Sequence, residues 1–284
     1  MAPVEMVTPA TEAEALAELR RGPPEEVAIV AGGTDLILDL EERRLSPRRL
    51  LSLRRLPWHD HRWDDGRLTI GSAEPLASLE ADPEVGRQYP ALAQAIAAVG
   101  GPALRRQATV GGNLGRSAPA SDLTPVLLVL DAEAELLGPA GARALPVDRF
   151  LRASRETTLE AHELIRSVRL PEPRPSSAYL WQRVRPANDI SQVGVAAAYG
   201  AADRRWRLSL GGAPPRPVLV PEAAAELHGP RPKPAEVEAA ALALSSHPAL
   251  VSDRRASDEH RRRIASVLCL RALEAAVDRP AEVP

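Results

Sequence analysis

Val27-Ala28-Ile29-Val30-Ala31-Gly32-Gly33-Thr34-Asp35-Leu36 runs from an apolar, strand-like segment straight into a glycine pair. A strand end followed by Gly-Gly lets a backbone approach a phosphate with no Cβ in the way, and Thr34 adds a hydroxyl donor. About eighty residues later the chain repeats the device as Thr109-Val110-Gly111-Gly112-Asn113, a short step before Ser121-Asp122-Leu123-Thr124-Pro125. Taken singly, each is also what an ordinary turn looks like. Asn113 then stabilises its own turn, and Asp122 favours the start of its helix. Two such loops in one chain point to a ligand with a diphosphate and a long body, a dinucleotide or a flavin nucleotide. Neither Gly-x-Gly-x-x-Gly nor a Walker A sequence occurs, so a Rossmann or P-loop site is not supported.

Outward from the first loop, Thr11-Glu12-Ala13-Glu14 is a capping-box signature opening a helix that Gly22-Pro23-Pro24 ends. Val27 to Ala31 reads as a buried strand, Leu36 to Arg43 as a short helix and Leu50 to Leu53 as a second strand. Trp58 to Gly66 reads as a polar connection with a turn at Asp64-Asp65-Gly66, and Arg67 to Ile70 as a strand. Ala91 to Val99 is a helix closed by Gly100-Gly101. Ser121 is placed to cap a helix whose apolar body is Leu123 to Leu130, with Asp122 in its first turn. Glu133 to Val147 reads as a hairpin turning at Gly138-Pro139-Ala140-Gly141, and Leu164 to Leu170 as a strand ended by Pro171.

Pro171-Glu172-Pro173-Arg174-Pro175 is the linker signal, since its prolines continue neither a helix nor an interior strand. Beyond it come strand-like runs at Ala178–Val184, Val193–Ala201 and Trp206–Leu210, then Gly211-Gly212 and helical patterns at Pro234–Ser245 and Asp258–Val277. This is the pattern of a smaller α+β domain, a three-stranded antiparallel sheet with helices packed on it.

The 284 residues suffice for two or three domains with real cores. A net charge of −2 gives no reason to expect nucleic acid. No apolar stretch is long enough for a membrane span. Met1-Ala2-Pro3-Val4-Glu5 has neither the basic nor the apolar region of a secretory signal, so a cytoplasmic address is expected. Lys233 is the sole lysine among 36 basic residues; with the abundant Ala and Pro, this reflects coding bias or thermal adaptation. Pairs such as Arg43-Arg44 and Arg54-Arg55 read as solvated surface. The single cysteine, Cys269, sits in an apolar helical stretch and reads as an inert buried thiol. One cysteine cannot hold an iron–sulfur cluster or a structural zinc, so any redox centre within the chain is organic. The six histidines show no ligand spacing, and no metal site is expected.

In this order and spacing, three stretches resemble the FAD-binding subunit of the molybdenum hydroxylases: Ala31–Leu36, Leu104–Leu114 and Ala118–Pro125. That family includes the medium subunit of aerobic carbon monoxide dehydrogenase and the flavin domain of xanthine dehydrogenase. The resemblance covers nearly the whole chain. Arg155–Leu159 and Glu163–Pro171 look like the family's segment closing the flavin domain. Leu208–Ala213, Asp253–Ser257 and His260–Leu273 look like its C-terminal pattern. The resemblance implies an α+β fold: a two-part FAD-binding domain of the vanillyl-alcohol oxidase/PCMH type over 1–173, with subdomains of about 1–57 and 58–173. A smaller domain, like the carbon monoxide dehydrogenase flavoprotein C-terminal domain, would follow over 174–284.

The resemblance also implies roles. Ile29, Val30, Ala31, Gly32, Gly33, Thr34, Asp35 and Leu36 would wrap the FAD diphosphate and its surroundings. Thr109, Val110, Gly111, Gly112 and Asn113 would form the second wall, backbone N–H groups toward the phosphates. Asp122 would accept a hydrogen bond from the ribityl chain or the flavin ring. Ile165 would contact the cofactor through backbone or side chain. Arg183, in Gln182-Arg183-Val184-Arg185-Pro186-Ala187, aligns with a position that is usually lysine, which keeps the cation and changes its geometry. Ala108 stands where a glycine is common. The implied function is electron transfer: FAD would discharge electrons from a [2Fe-2S] small subunit, supplied by a molybdopterin large subunit, to NAD, a quinone or oxygen. A dimer of heterotrimers is the implied assembly, with the substrate chosen in another chain. A stand-alone FAD-dependent oxidoreductase and a non-catalytic module that has kept the fold are the alternatives.

Overall fold

The N-terminal segment alternates strand and helix: β1 (Glu5–Val7), α1 (Glu12–Leu19), β2 (Val27–Val30), α2 (Leu36–Glu41) and β3 (Arg49–Ser52). A helix between strands returns the chain to the same end, and the result is a parallel sheet of order β1-β3-β2. The structure is a computed structural model that describes residues 4–185, 189–212 and 215–278. Met1 to Pro3, Pro186 and Ala187 beside the Arg183 segment, Ala213 of the C-terminal pattern and the end of the expected second domain lie outside the described residues. Helix α1 starts at its capping signal: Thr11 Oγ1 accepts the Glu14 N–H at 3.2 Å, and the Glu14 carboxylate accepts the Ala10 N–H at 2.7 Å. Expected as buried, β2 is instead half-exposed at every residue, because it lies at the sheet edge with β3 on one side only. Helix α2 ends at Glu41, short of the expected Arg43, whose backbone is left-handed with φ 56°.

The polar stretch expected as a connection holds a strand, β4 (His61–Asp64), paired antiparallel with β5 (Arg67–Gly71). Asp65 and Gly66, at φ 47° and 73°, make the tight two-residue turn between them. Six helices follow: α3 (Leu76–Ala81), α4 (Pro83–Gln88), α5 (Pro90–Ala98), α6 (Pro102–Arg105), α7 (Val110–Arg116) and α8 (Leu123–Val129). Pro83, Pro90 and Pro102 open their helices where a missing N–H costs nothing. The expected hairpin is β6 (Glu133–Gly138) and β7 (Gly141–Pro146). Next come α9 (Val147–Phe150), the small hairpin β8 (Leu151–Ala153) and β9 (Glu156–Thr157), and β10 (Leu164–Leu170). The chain's return strand β10 takes the centre of an antiparallel sheet of order β4-β5-β10-β6-β7. Its register shifts between Ile165 and Ser167, a bulge that interrupts strict in–out alternation.

The last layer is β11 (Ser177–Gln182), β12 (Val193–Gly200), β13 (Arg205–Gly211) and β14 (Val218–Leu219), with α10 (Pro221–Ala224), α11 (Pro234–Ser245) and α12 (Asp258–Val277). Its antiparallel sheet has four strands rather than three, the fourth being the two-residue β14. Strand β12 is buried at every position. Val195 and Ala197 face the core shared with α11 and α12, while Ala196 and Ala198 face the core shared with α5 and α8. That double burial explains its run of small residues. Gly211 fits against the Pro125 ring with no room for a Cβ, and the Gly212 N–H bonds the Pro119 carbonyl at 3.0 Å. The linker is held in place rather than left free. The Arg174 N–H bonds the Gln88 carbonyl, and its buried guanidinium meets Asp131 at 2.6 Å and Glu172 at 2.8 Å.

Candidate functional site

The fold brings the two glycine segments into contact. A Cβ on Gly32 would overlap the Gln107 carbonyl, and one on Gly112 would stand 3.7 Å from Ala31 Cβ. Glycine is therefore what lets the backbones meet. Gly33 has φ 74°, a left-handed turn that suits glycine. The amides of Gly32, Gly33, Thr34, Asp35 and Leu36 donate to no acceptor among the described residues, so this turn presents a run of free N–H groups.

The second segment departs from the expected loop. Val110 to Asn113 form the first turn of α7, capped by Thr109, whose Oγ1 accepts the Gly112 N–H at 2.9 Å. The Gly111 N–H donates to the Ser72 carbonyl at 3.1 Å and the Asn113 N–H to the Thr109 carbonyl at 3.0 Å. Those three N–H groups are spent within the protein. What this segment offers the shared cleft is a Cβ-free surface at Gly112 and the Asn113 side chain. Asn113 Oδ1 accepts the Ser121 hydroxyl at 2.6 Å, and Ser121 Oγ accepts the Thr124 N–H at 3.0 Å, capping α8 as expected.

Helices α2 and α7 are tied by charge. Arg116 reaches the buried Asp39 carboxylate through both terminal nitrogens, at 2.5 and 3.1 Å, and Arg44 adds a contact at 2.8 Å. The Arg116 guanidinium holds the Asp39 carboxyl below its ordinary value, against the opposing effect of burial. Ile165 lies beneath α7, 8% exposed, its Cδ1 3.3 Å from where a Gly115 Cβ would be.

Asp122 and Arg183 are brought together from 61 residues apart, at 2.6 Å. Asp122 Oδ1 accepts hydrogen bonds from the Tyr179 hydroxyl at 2.7 Å and the Ser191 hydroxyl at 2.6 Å. Burial pushes its carboxyl up from the ordinary value, against the pull of Ser191, Arg183 and Tyr179. Arg183 also donates to the Ala98 carbonyl at 2.8 Å and lies 5.4 Å over the Trp181 ring, which stacks on Tyr179. The contacts run in one chain: Ala31 to Gly112, Asn113 to Ser121, then Asp122 to Arg183. Tyr179 and Ser191 belong to this strip and had no motif to announce them, because each joins it through a contact distant in sequence.

A cavity of about 470 Å³ opens beside Arg183, with Gln192, Arg255 and His260 in its wall. Another, of about 390 Å³, lies between Glu12, Trp58 and Glu135, away from the glycine segments, and Arg166 sits in it between Glu12 and Glu135. Cys269 is buried, and burial raises its thiol to about 12, which keeps it protonated. No helix among the described residues is long and apolar enough to cross a membrane.

A Cβ-free cleft with free turn amides, set between the two parts of an α+β domain that a smaller α+β domain follows, defines a protein built to hold a dinucleotide. A family model described as the FAD binding domain in molybdopterin dehydrogenase matches residues 2–173, and one described as the CO dehydrogenase flavoprotein C-terminal domain matches residues 178–276. The chain belongs to this family of FAD-binding flavoproteins of the molybdopterin dehydrogenases. It is 32% identical to the xanthine dehydrogenase FAD-binding subunit of Escherichia coli O157:H7 over 220 residues, 74% of each chain. To the carbon monoxide dehydrogenase medium chain of Hydrogenophaga pseudoflava it is 26% identical, over 88% of this chain and 89% of the relative. The solved carbon monoxide dehydrogenase of Hydrogenophaga pseudoflava, in a form lacking the Mo-pyranopterin moiety, superposes with a TM-score of 0.90 at 26% identity, covering 99% of this chain and 100% of the other. The cofactor is FAD, and the chain is an oxidoreductase flavoprotein. The cradle fits it: Gly32 and Gly112 leave room that side chains would fill, and Gly33 turns free amides into it.

Proposed function

We propose that this chain is the electron-transfer flavoprotein subunit of a molybdenum hydroxylase complex, with a division at Pro171–Pro175 between its flavin domain and its C-terminal domain. The observation that carries the reading is the meeting of the two glycine segments, Gly32 against Gln107 and Gly112 toward Ala31, beside the free amides of Gly32–Leu36. In this reading Ile29–Leu36 hold the diphosphate, and the free amides of Gly32–Leu36 donate to it. Thr109–Asn113 form the opposite wall through shape, leaving room where Gly112 has no side chain. Ile165 supports α7 from below. Asp122 and Arg183 fix the far end of the site as an ion pair, whose hydrogen bonds also join the two domains.

Bound there, FAD supplies both one- and two-electron redox chemistry, which suits a link between the [2Fe-2S] clusters of a small subunit and an external acceptor. The chain's one cysteine is buried and protonated, so clusters would come from a partner. A molybdopterin large subunit would perform the substrate oxidation, and NAD, a quinone or oxygen would be the acceptor. The relatives' descriptions as a medium chain and an FAD-binding subunit support partner chains; the assembly would be a dimer of heterotrimers in the cytoplasm. The test is co-expression with a molybdopterin large subunit and a [2Fe-2S] small subunit from the same source. The expected product is one complex containing FAD, molybdenum and iron, with substrate-dependent flavin reduction only when all three chains are present. Turnover by the isolated chain, or a purified chain that takes up no FAD, overturns the proposal.

A further inference from the structure

The second glycine segment is held from behind by residues 72–76, where β5 turns into α3. Ser72 gives its carbonyl to the Gly111 N–H at 3.1 Å, and the Leu76 N–H donates to the Ala108 carbonyl at 2.8 Å. Between these two bonds stands Glu74, 2% exposed. Its carboxylate has one partner among the described residues: Oε1 meets His61 Nδ1 at 3.1 Å, while Oε2 is buried without one. The other ring nitrogen, Nε2, meets Asp82 Oδ2 at 3.0 Å, at the junction of α3 and α4. A neutral imidazole has one N–H and one lone pair, so it donates to one carboxylate and turns the lone pair on the other. Only the imidazolium donates to both. Asp82 has further donors, the Trp63 indole at 3.2 Å and the Glu84 N–H at 2.8 Å. Loss of the ring proton breaks one bond of the bridge whichever tautomer forms. It also takes from the buried Glu74 its one cationic contact among the described residues. The charged groups around the bridge are committed elsewhere. On β4 itself Asp60 and Arg62 pair at 3.7 Å, on α3 Glu80 pairs with Arg105 at 2.8 Å, and on α4 Glu84 pairs with Arg87. Burial opposes the charged ring, yet the two carboxylates raise it above the ordinary histidine value. Strand β4 is an edge strand paired with β5 alone, so the bridge is what ties it to α3 and α4 at this point.

We propose that His61 and Glu74 are positioning residues for the second wall of the cleft: the doubly protonated ring ties Glu74 to Asp82 and seats the wall for FAD, and loss of that proton loosens it. Neither residue touches the cofactor. They act through the Ser72 carbonyl and the Leu76 N–H, which fix Ala108 and Gly111 on either side of the Thr109 cap. Cofactor retention thereby becomes sensitive to pH, tight where His61 is charged and weaker where it is neutral. This role rests on the FAD reading above and adds to it a control from behind the wall.

The experiment titrates FAD into the full chain between about pH 6 and about pH 9, followed by flavin fluorescence. Wild-type affinity is expected to fall on the order of tenfold across that range, the worth of one hydrogen bond to a charged group. His61→Gln carries no charge at any pH and is expected to bind at the weaker value throughout. His61→Arg keeps a cation with donors for both carboxylates and is expected to bind at the tighter value throughout, a rescue that a merely structural role would not give. Linkage requires the reverse effect as well: wild type is expected to take up protons on binding FAD within this range. Affinity independent of pH in wild type, or the same fall in His61→Gln, overturns the proposal and leaves the FAD site standing. Absence of proton uptake by wild type overturns it equally, even where a variant fails to fold. Failure of wild type to bind FAD at any pH overturns both readings.

Discussion

Gly111 rests directly on Ser72: its N–H donates to the Ser72 carbonyl at 3.1 Å, and a Cβ on it would lie 2.7 Å from Ser72 Cα. The neighbouring glycine is different. A Cβ on Gly112 would meet Thr109 Oγ1 at 3.0 Å and otherwise point toward Ala31 at 3.7 Å. The two glycines therefore serve different ends, one packing and one the cleft. Gly111→Val is expected to lose roughly 3 kcal/mol or more, since backbone cannot move aside. Gly112→Val is expected to lose about 1 kcal/mol, from the disturbed Thr109 cap, and at least tenfold in FAD affinity. Thermal melting and flavin titration on both variants check this. An intact, fully flavinylated Gly112→Val would remove that residue from the cleft wall.

Arg116 joins α7 to α2, the helix that follows the free-amide turn. Asp39 is only 3% exposed in its side chain and Arg116 is 20% exposed. Arg116→Gln leaves Arg44 as the one cation on Asp39, and is expected to cost about 1–3 kcal/mol in urea unfolding. The Asp39 carboxyl titrates below the ordinary aspartate value, held there by Arg116. An acid with a lowered folded pKa contributes stability that is present above the unfolded value and lost as pH falls through the folded one. The wild-type advantage over Arg116→Gln is thus expected to hold near neutrality and to shrink on acidification below about pH 4. An advantage independent of pH in that range would show that Asp39 is not the partner that matters.

Helices Pro234–Ser245 and Asp258–Val277 were legible in the sequence at the bounds the structure gives them, because Pro234 and the Ser257 cap mark their starts. Both glycine segments could be read from the sequence as a pair, while Asp122 and Arg183 were picked out through the resemblance. What escaped was non-local. Strand β4 carries Trp63 as its one large apolar residue, so its pairing with β5 leaves no alternation to read. Strand β14 is two residues long. The sequence of the second segment shows two glycines and cannot show that Ser72, nearly forty residues earlier, takes the Gly111 N–H. That Arg183 would meet Asp122, 61 residues away, is likewise set by the fold alone.

His61 lies between two carboxylates, with Nδ1 3.1 Å from Glu74 Oε1 and Nε2 3.0 Å from Asp82 Oδ2. Burial opposes the charged ring, but hydrogen bonds to Glu74 and Asp82 outweigh it, and its pKa stands above the ordinary histidine value. A raised folded pKa gives stability that is fully present below the unfolded value and lost as pH rises through the folded one. The stability difference between wild type and His61→Gln is therefore expected to be largest below about pH 6.5 and to decline at higher pH. Urea midpoints across that range check it; a difference that grows with pH would reverse the assignment.

Asp131 receives Arg174 of the linker at 2.6 Å and Arg207 of β13 at 2.7 Å, so one carboxylate clasps both domains. Its φ of 51° is left-handed, a conformation asparagine shares at little cost. Asp131→Asn thus removes the charge and leaves the backbone undisturbed. Arg174 is 1% exposed and keeps only Glu172. The expected loss is roughly 3 kcal/mol in urea unfolding. A loss under about 0.5 kcal/mol would mean that Glu172 and Asp203 carry the two guanidinium groups without it.

Arg183 spans three acceptors, Asp122, the Ala98 carbonyl and Ser191 Oγ, at 2.6, 2.8 and 3.3 Å. A lysine, usual at this position in the resemblance, is one point charge on a flexible stem and cannot span all three. Arg183→Lys is expected to hold Asp122 ionised and cost about 1–2 kcal/mol. Arg183→Met leaves Asp122 with hydroxyl donors only, at a cost of roughly 3 kcal/mol near neutral pH. Asp122 is already pushed up by burial, and without the cation its pKa rises further. Protonation then relieves the buried charge, so Arg183→Met is expected to recover part of its loss near pH 5, while Arg183→Lys is not. Urea midpoints for the three proteins at the two pH values test the order Arg, Lys, Met. Equal losses for Lys and Met, unaffected by pH, would show that Arg183 holds the domains together by its hydrogen bonds to Ala98 and Ser191, with its charge on Asp122 immaterial.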